Sequence, residues 1–317
     1  MLKKILPYLL IIIFSIVFSA FRIQQVQPSA AYSLKTIVID AGHGGKDFGA
    51  AGTSSYEKDI ALAVSLKLRD QLEKALPNVK IVMTRTIDVY QHPSLKANIA
   101  NQAKGDLFVC IHCNAAPPKK YSEISGYKTV TYYTGKGSKR RKHTKQVPQY
   151  RYWTTPNPAK GTETYIWAVH KNESKEVALR ENESLYSDSS MLDEIADFDP
   201  ESPEKRILYA LKTQQYFTRS ANLALMIEEE FEKAGRISRS ARQRQTGIWV
   251  LQATAMPSVL VETGYITNPE EEAYLMSENG QYEICESVTK AILRYKTALE
   301  SNNLLTPTQD DMSDSTR

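Results

Sequence analysis

The chain has 317 residues, of which 42% are hydrophobic, and carries 40 basic and 36 acidic side chains for a net charge of +4. That length and apolar content support one large core or two modest ones. The small positive balance gives no argument for nucleic acid, and no nucleic-acid partner is expected.

Charge is concentrated locally. Lys136–Lys145 reads KGSKRRKHTK, and Met191–Glu204 reads MLDEIADFDPESPE. Runs of this kind are ordinarily solvated loops.

In chain order, Lys3 and Lys4 precede an apolar run from Ile5 to Phe21 that contains Pro7. This matches the charged and apolar parts of a secretory signal. The run is near the lower length limit for a membrane span. Residues 1–33 are therefore expected to be a signal peptide, or an N-terminal anchor if uncleaved, followed by a polar tether. Membrane contact is expected through that segment only.

Thr36–Ala41 is expected to be a strand. Glu57–Leu76 is expected to be a helix, because Ile60, Val64, Leu68, Leu72 and Leu76 recur every four residues and make one apolar stripe. Val79–Arg85 reads as strand, Pro93–Lys104 as a short helix and Asp106–Cys113 as a third strand. This β-α-β-α-β order implies an α/β fold, with a mainly parallel twisted sheet flanked by helices in three layers.

Regularity is expected to break over 117–160, a basic, tyrosine-rich insertion with one hairpin strand at Gly126–Thr134. Further expectations are a strand at Thr162–Val169, a helix at Ser174–Leu185 and an acidic segment at 187–203 that is a candidate regulatory element. A long helix at Arg206–Ala234 and strands at Gly247–Leu251 and Ser258–Glu262 follow. Asn268-Pro269 reads as a helix start, and Tyr282–Leu299 as a closing helix. One folded domain is thus expected over 34–299, with a disordered polar tail at 300–317.

Cys110 and Cys113 resemble a redox or zinc pair by spacing. On a strand, however, residues i and i+3 point to opposite faces, so buried free thiols are the expectation.

Three segments supply what a divalent metal would want. His43 follows the first strand in IVIDAGHGG, Glu57 opens the first helix, and His112 lies near the end of the third strand. Two histidines and a carboxylate leave a fourth position for water, the pattern of a catalytic zinc site. Glu262, at the end of the buried strand SVLVE, supplies a candidate general base. Its burial carries a desolvation cost that folding alone does not require.

Each residue has a plainer reading. His43 could be a turn residue, Glu57 could close a capping box with Ser54, and His112 could be a hydrogen-bonded core histidine. Glu262 could pair with Arg242 or Arg244. These readings weaken jointly, because all four residues map to one edge of one sheet.

Five ordered segments carry a resemblance: IVIDAGHGG (37–45), YEKD (56–59), TRTIDVY (84–90), LFVCIHCNA (107–115) and MPSVLVETGYITN (256–268). Together they resemble the zinc-dependent N-acetylmuramoyl-L-alanine amidases of the type 3 family. The resemblance runs from about Thr36 to Leu299, interrupted after Ala116.

It implies hydrolysis of the amide between the lactyl group of N-acetylmuramic acid and L-alanine in peptidoglycan, in cell separation or wall turnover. It also implies one zinc ion on His43, Glu57 and His112, with Glu262 catalytic. The expected location is then the periplasm or cell envelope of a bacterium. Arg242, Arg244 and Asn114 are candidate substrate contacts, the arginines through stem-peptide carboxylates. Two other functions stay open: a zinc peptidase acting on stem peptides, and an inactive wall-binding regulator.

The chain departs from the family pattern in two places. Pro93 and Lys96 stand where many members have leucine and arginine, read as a surface or supporting change. The long insertion is the second. Some relatives carry a helix in this region that covers the zinc until a protein activator displaces it. By that likeness Glu194 is a candidate to occupy the open zinc position. In the basic insertion, Tyr127, Tyr132, Tyr133 and Trp153 are candidates to stack on sugars, and its lysines and arginines to grip anionic cell-envelope polymers.

Overall fold

In the computed structural model, residues 33–167, 203–244, 248–301 and 304 are described, with 203–215 given by backbone alone. The expectations for the N-terminal signal, the helix at 174–185, the acidic stretch with Glu194 and the tail beyond 304 lie outside the described residues.

Four consecutive β-branched residues open TIVIDA, strand β1 (Thr36–Ala41), which is buried along its whole length. Helix α1 (Glu57–Ala75) covers it, burying Ile60, Val64, Leu68 and Leu72 along the predicted stripe. Strand β2 (Lys80–Met83), helix α2 (Pro93–Gln102) and strand β3 (Leu107–Asn114) follow, close to the expected bounds. After an insertion come strand β6 (Thr162–Trp167), helix α3 (Pro203–Lys233), strand β7 (Ser238–Arg244), helix α4 (Trp249–Ala253) and strand β8 (Ser258–Tyr265). Helices α5 (Pro269–Met276) and α6 (Glu278–Glu300) close the fold. Asn268 caps α5 as expected, its side chain accepting from the amides of Glu270 and Glu271.

The six-stranded sheet has the order β2-β1-β3-β8-β6-β7. The first four strands run parallel; β6 is antiparallel to β8, and β7 runs parallel to β6. On one face, α2 and α4 enclose a core containing Val38, Ala97, Phe108, Leu251, Met256 and Leu260. On the other, α6 packs against both α1 and α3. The layered, mainly parallel α/β arrangement predicted from the sequence is present. Among the described residues no helix is long and apolar enough to cross a membrane.

Two local expectations need correction. The strand expected at Gly247–Leu251 is not found among its described residues: Trp249–Ala253 form α4, and the sheet position is filled by β7. A short apolar run cannot distinguish a buried strand from a buried helical turn. The polar segment SRSARQR concealed an edge strand, so Arg242 and Arg244 lie on β7 rather than ahead of a strand.

The insertion is also far more regular than expected. Strands β4 (Lys119–Thr134) and β5 (Arg141–Thr155) form a long antiparallel ribbon joined by a short 3-10 turn. Its side chains are mostly exposed, so it has no buried face and lacks the hydrophobic alternation by which strands are read.

Candidate metal centre

The chain leaves β1 through a bond from the Gly42 amide to the Ile111 carbonyl at 3.0 Å, and places His43 in the left-handed region at φ 55°. That conformation costs a residue with a Cβ about 1–2 kcal/mol. The following turn holds it: the backbones of Gly44 and Asp47 bond to each other in both directions, and Asp47 Oδ1 lies 2.9 Å from His43 Nδ1. This leaves Nε2 of His43 facing Glu57 Oε2 at 3.2 Å.

Glu57, the first residue of α1, has no exposed surface. Its Oε2 accepts from the Ala50 amide at 2.8 Å, and its Oε1 accepts from the Cys113 amide at 2.9 Å. Oε1 also lies 2.9 Å from His112 Nδ1. The capping-box alternative fails: the Ser54 amide and hydroxyl go to Glu272 instead, at 2.8 and 3.2 Å. Burial alone would push the Glu57 carboxyl up. The charges and hydrogen bonds of His43 and His112 overcome it and hold the group well below the usual carboxylate range.

The three side chains offer ligand atoms that all lie within 4.8 Å of one another, and all three are buried. Ligands sharing a tetrahedral zinc at about 2.0–2.1 Å lie on the order of 3.3 Å apart, so the spacing fits such an ion. Two glycines keep the space clear. A Cβ on Gly42 would sit 2.7 Å from His112 Nε2, and one on Gly49 would sit 2.7 Å from Glu57 Oε2. Asp47 orients His43 from behind through its other ring nitrogen, the usual support for a metal-binding histidine.

The end of β1 is fixed by a second buried group. Lys96 is no surface substitution: its ammonium donates to the Ala41 carbonyl at 2.7 Å and pairs with Asp40 Oδ1 at 3.0 Å. Thr84 and Cys110 also donate to the Asp40 carboxylate. Burial opposes ionisation of Asp40, but Lys96 and these donors lower its pKa. The three cysteines are free and buried, as expected for Cys110 and Cys113. Burial and the Asp40 charge push the Cys110 thiol up to about 12.

Glu262 is fully buried on β8, in direct register with His112 on β3 and Glu163 on β6. The three residues form one row across three strands, on the same face of the sheet. Glu163 takes arginine partners from β7. Arg239 Nε donates to Glu163 at 2.8 Å, and Arg242 Nη2 lies 3.5 Å from it. Asn114, Tyr165 and Tyr265 also donate to the Glu163 carboxylate, at 2.7, 2.6 and 3.2 Å. Burial opposes ionisation of Glu163, yet Arg242, Tyr165 and Arg239 lower its pKa.

The amide of Asn114 is thus engaged within the protein. Arg244 differs from Arg242. It is 1% exposed, its guanidinium lies over the Tyr165 ring at 3.5 Å, and its nitrogens meet no hydrogen-bond acceptor among the described residues.

Sequence reasoning missed Asp47 and Glu163. Asp47, four residues after His43, carried a weak signal in its spacing. Glu163 carried a stronger one, a carboxylate placed inside the sheet strand TETYIW.

The sequence profile described as N-acetylmuramoyl-L-alanine amidase, type 3, matches residues 37–294. N-acetylmuramoyl-L-alanine amidase AmiC of Escherichia coli O6:H1 is 30% identical over 274 residues, 85% of this chain and 55% of that protein. The germination-specific N-acetylmuramoyl-L-alanine amidase of Bacillus subtilis is 24% identical over 283 residues, 85% of this chain and 83% of the relative. The chain spans about half the length of several curated relatives, AmiC among them. An N-acetylmuramoyl-L-alanine amidase structure from Clostridium difficile 630 shares the fold. Its TM-score is 0.52 at 22% identity, covering 84% of this chain and 99% of that one.

Proposed function

Because the chain belongs to the N-acetylmuramoyl-L-alanine amidase family, we propose that it hydrolyses the amide joining the lactyl group of N-acetylmuramic acid to L-alanine in peptidoglycan. The observation that carries this reading is the buried His43–Glu57–His112 cluster, with Glu262 in register beside His112. His43, Glu57 and His112 would hold one zinc ion. When bound, zinc supplies Lewis acidity and brings the pKa of its water to roughly 7.

The protein's own residues do the rest. Asp47 fixes the His43 ring, leaving Nε2 for the metal side. Glu262 accepts a proton from the attacking water and returns it to the leaving amine nitrogen. That Glu262 lies on strand β8 rather than on a loop supports this role. Arg244, with no internal acceptor among the described residues, is the better placed of the two arginines to take a stem-peptide carboxylate. Arg242 is already committed to Glu163 and to the Arg239 carbonyl. The expected N-terminal signal supports action in the cell envelope, where this substrate lies.

The test is the identity of the cut. Purified sacculi treated with the zinc-loaded protein are expected to release stem peptides with a free amino-terminal L-alanine. Release of shorter peptides, with L-alanine still on the glycan, would make the protein a peptidase.

A further inference from the structure

The β4–β5 ribbon has no role in the site above. Its two strands pair with each other, and among the described elements no other makes more than marginal contact with it. At fifteen to sixteen residues per strand it projects on the order of 50 Å. It begins five residues after Asn114 and ends eight before Glu163, so both of its roots lie at the rim of the metal centre.

Two-stranded ribbons exposed on both faces gain little from folding alone, yet this one keeps large rings in water. Tyr127 and Tyr152 are 63% and 74% exposed.

The register assigns its faces. One carries Tyr127, Tyr133, Tyr150 and Tyr152, together with four threonines and a serine. It has no Leu, Phe or Met, and Ile124 and Pro148 are its apolar residues. Rings flanked by hydroxyls suit a polyhydroxyl ligand with apolar C–H faces, and suit acyl chains poorly.

Charge supplies the second observation. Residues 119–155 hold ten lysines and arginines against Glu123 alone, a net +9, whereas the rest of the chain is −5. Ribbons so charged repel one another, which argues against a second copy as occupant. The occupant that fits is a glycan carrying carboxylates.

We propose that the ribbon is a second binding surface for peptidoglycan. Its tyrosine face packs on the sugar rings, and its cations hold the carboxylates of the stem peptides. The ribbon would keep the enzyme on the polymer while the metal centre at its root reaches successive amides. This rests on the amidase reading for the choice of polymer, but binding can be measured without hydrolysis.

The experiment is co-sedimentation of the full-length Glu262→Gln protein with purified sacculi stripped of attached polymers. Joint replacement of Tyr127, Tyr150 and Tyr152 by Ala is expected to lower the bound fraction at least about tenfold. Replacing the same three by Phe should retain most of the binding. Replacing Lys136, Lys139 and Arg140 by Gln, or amidating the sacculus carboxylates, should weaken binding and flatten its salt dependence.

Unchanged binding in both the Ala and Gln variants would overturn the proposal. Ribbon-dependent binding to anionic phospholipid vesicles but not to stripped sacculi would also overturn it, assigning the surface to lipid. A protein that binds sacculi through the ribbon but cuts no amide would sink the amidase reading and leave this one standing.

Discussion

His112 and Glu262 are register partners on the neighbouring parallel strands β3 and β8. A metal-ligand candidate and a buried carboxylate are thereby held at the sheet's strand spacing, about 4.8 Å between backbones. Both residues sit where the sheet's hydrogen bonding fixes them, so the separation does not depend on a loop.

If that pairing positions a proton carrier, Glu262→Gln should lower kcat by about 10²- to 10⁴-fold. Zinc content and thermal stability should stay near the wild-type values. Steady-state kinetics beside metal analysis checks this; a variant that loses zinc in proportion to activity would reassign Glu262 to metal binding.

Asp47 supports His43 through Nδ1 without contacting the metal side. Asp47→Asn is expected to weaken zinc affinity about 10- to 100-fold while leaving the fold intact. Competition with a chelator of known affinity measures it, with activity recovered on adding excess zinc.

Arg244 lies buried over Tyr165 with no hydrogen-bond acceptor among the described residues. Arg244→Ala should chiefly raise KM for peptidoglycan fragments bearing a free carboxylate. Arg242→Ala, which breaks an internal link to Glu163, should instead lower stability. Equal effects of the two substitutions on KM would count against the distinction.

Glu228 on α3 accepts from Thr162, Thr164 and Ser238 at 2.9, 2.6 and 2.7 Å, yet burial raises its pKa from 4.5 to about 7. The folded protein therefore binds this proton more tightly than the unfolded chain. The stabilisation is full below about pH 4.5 and is lost as pH rises through 7. Glu228→Gln should make the fold more stable than wild type at pH 8, by up to about 3 kcal/mol relative to the difference at pH 5. Urea unfolding at the two pH values tests it.

The parts of the fold and site most legible in the sequence had apolar strands or glycine turns around them. IVIDAGHGG and LFVCIHCNA announced β1, β3 and both histidines because β-branched runs ending in small residues have few other uses. Glu57 could not be separated from a capping residue, since S-x-x-E serves both roles. Only the diversion of Ser54 to Glu272 decided it.

Edge strand β7 and the β4–β5 ribbon were hidden because neither has an alternating buried face. For Lys96 the surface and supporting readings could not be separated, because a lysine's long stem gives no sign of where its ammonium ends. Here it ends on Asp40 and Ala41.

The central claim is that Glu262, beside the His43–Glu57–His112 cluster, cleaves the bond between muramic acid and L-alanine. Digestion of purified sacculi by the zinc-loaded wild type and by Glu262→Ala, with the amino termini of the released peptides identified, tests it most directly. The account predicts peptides beginning with free L-alanine from the wild type and at least a hundredfold less from the variant. Equal digestion by both proteins, or products that keep L-alanine on the glycan, would contradict it.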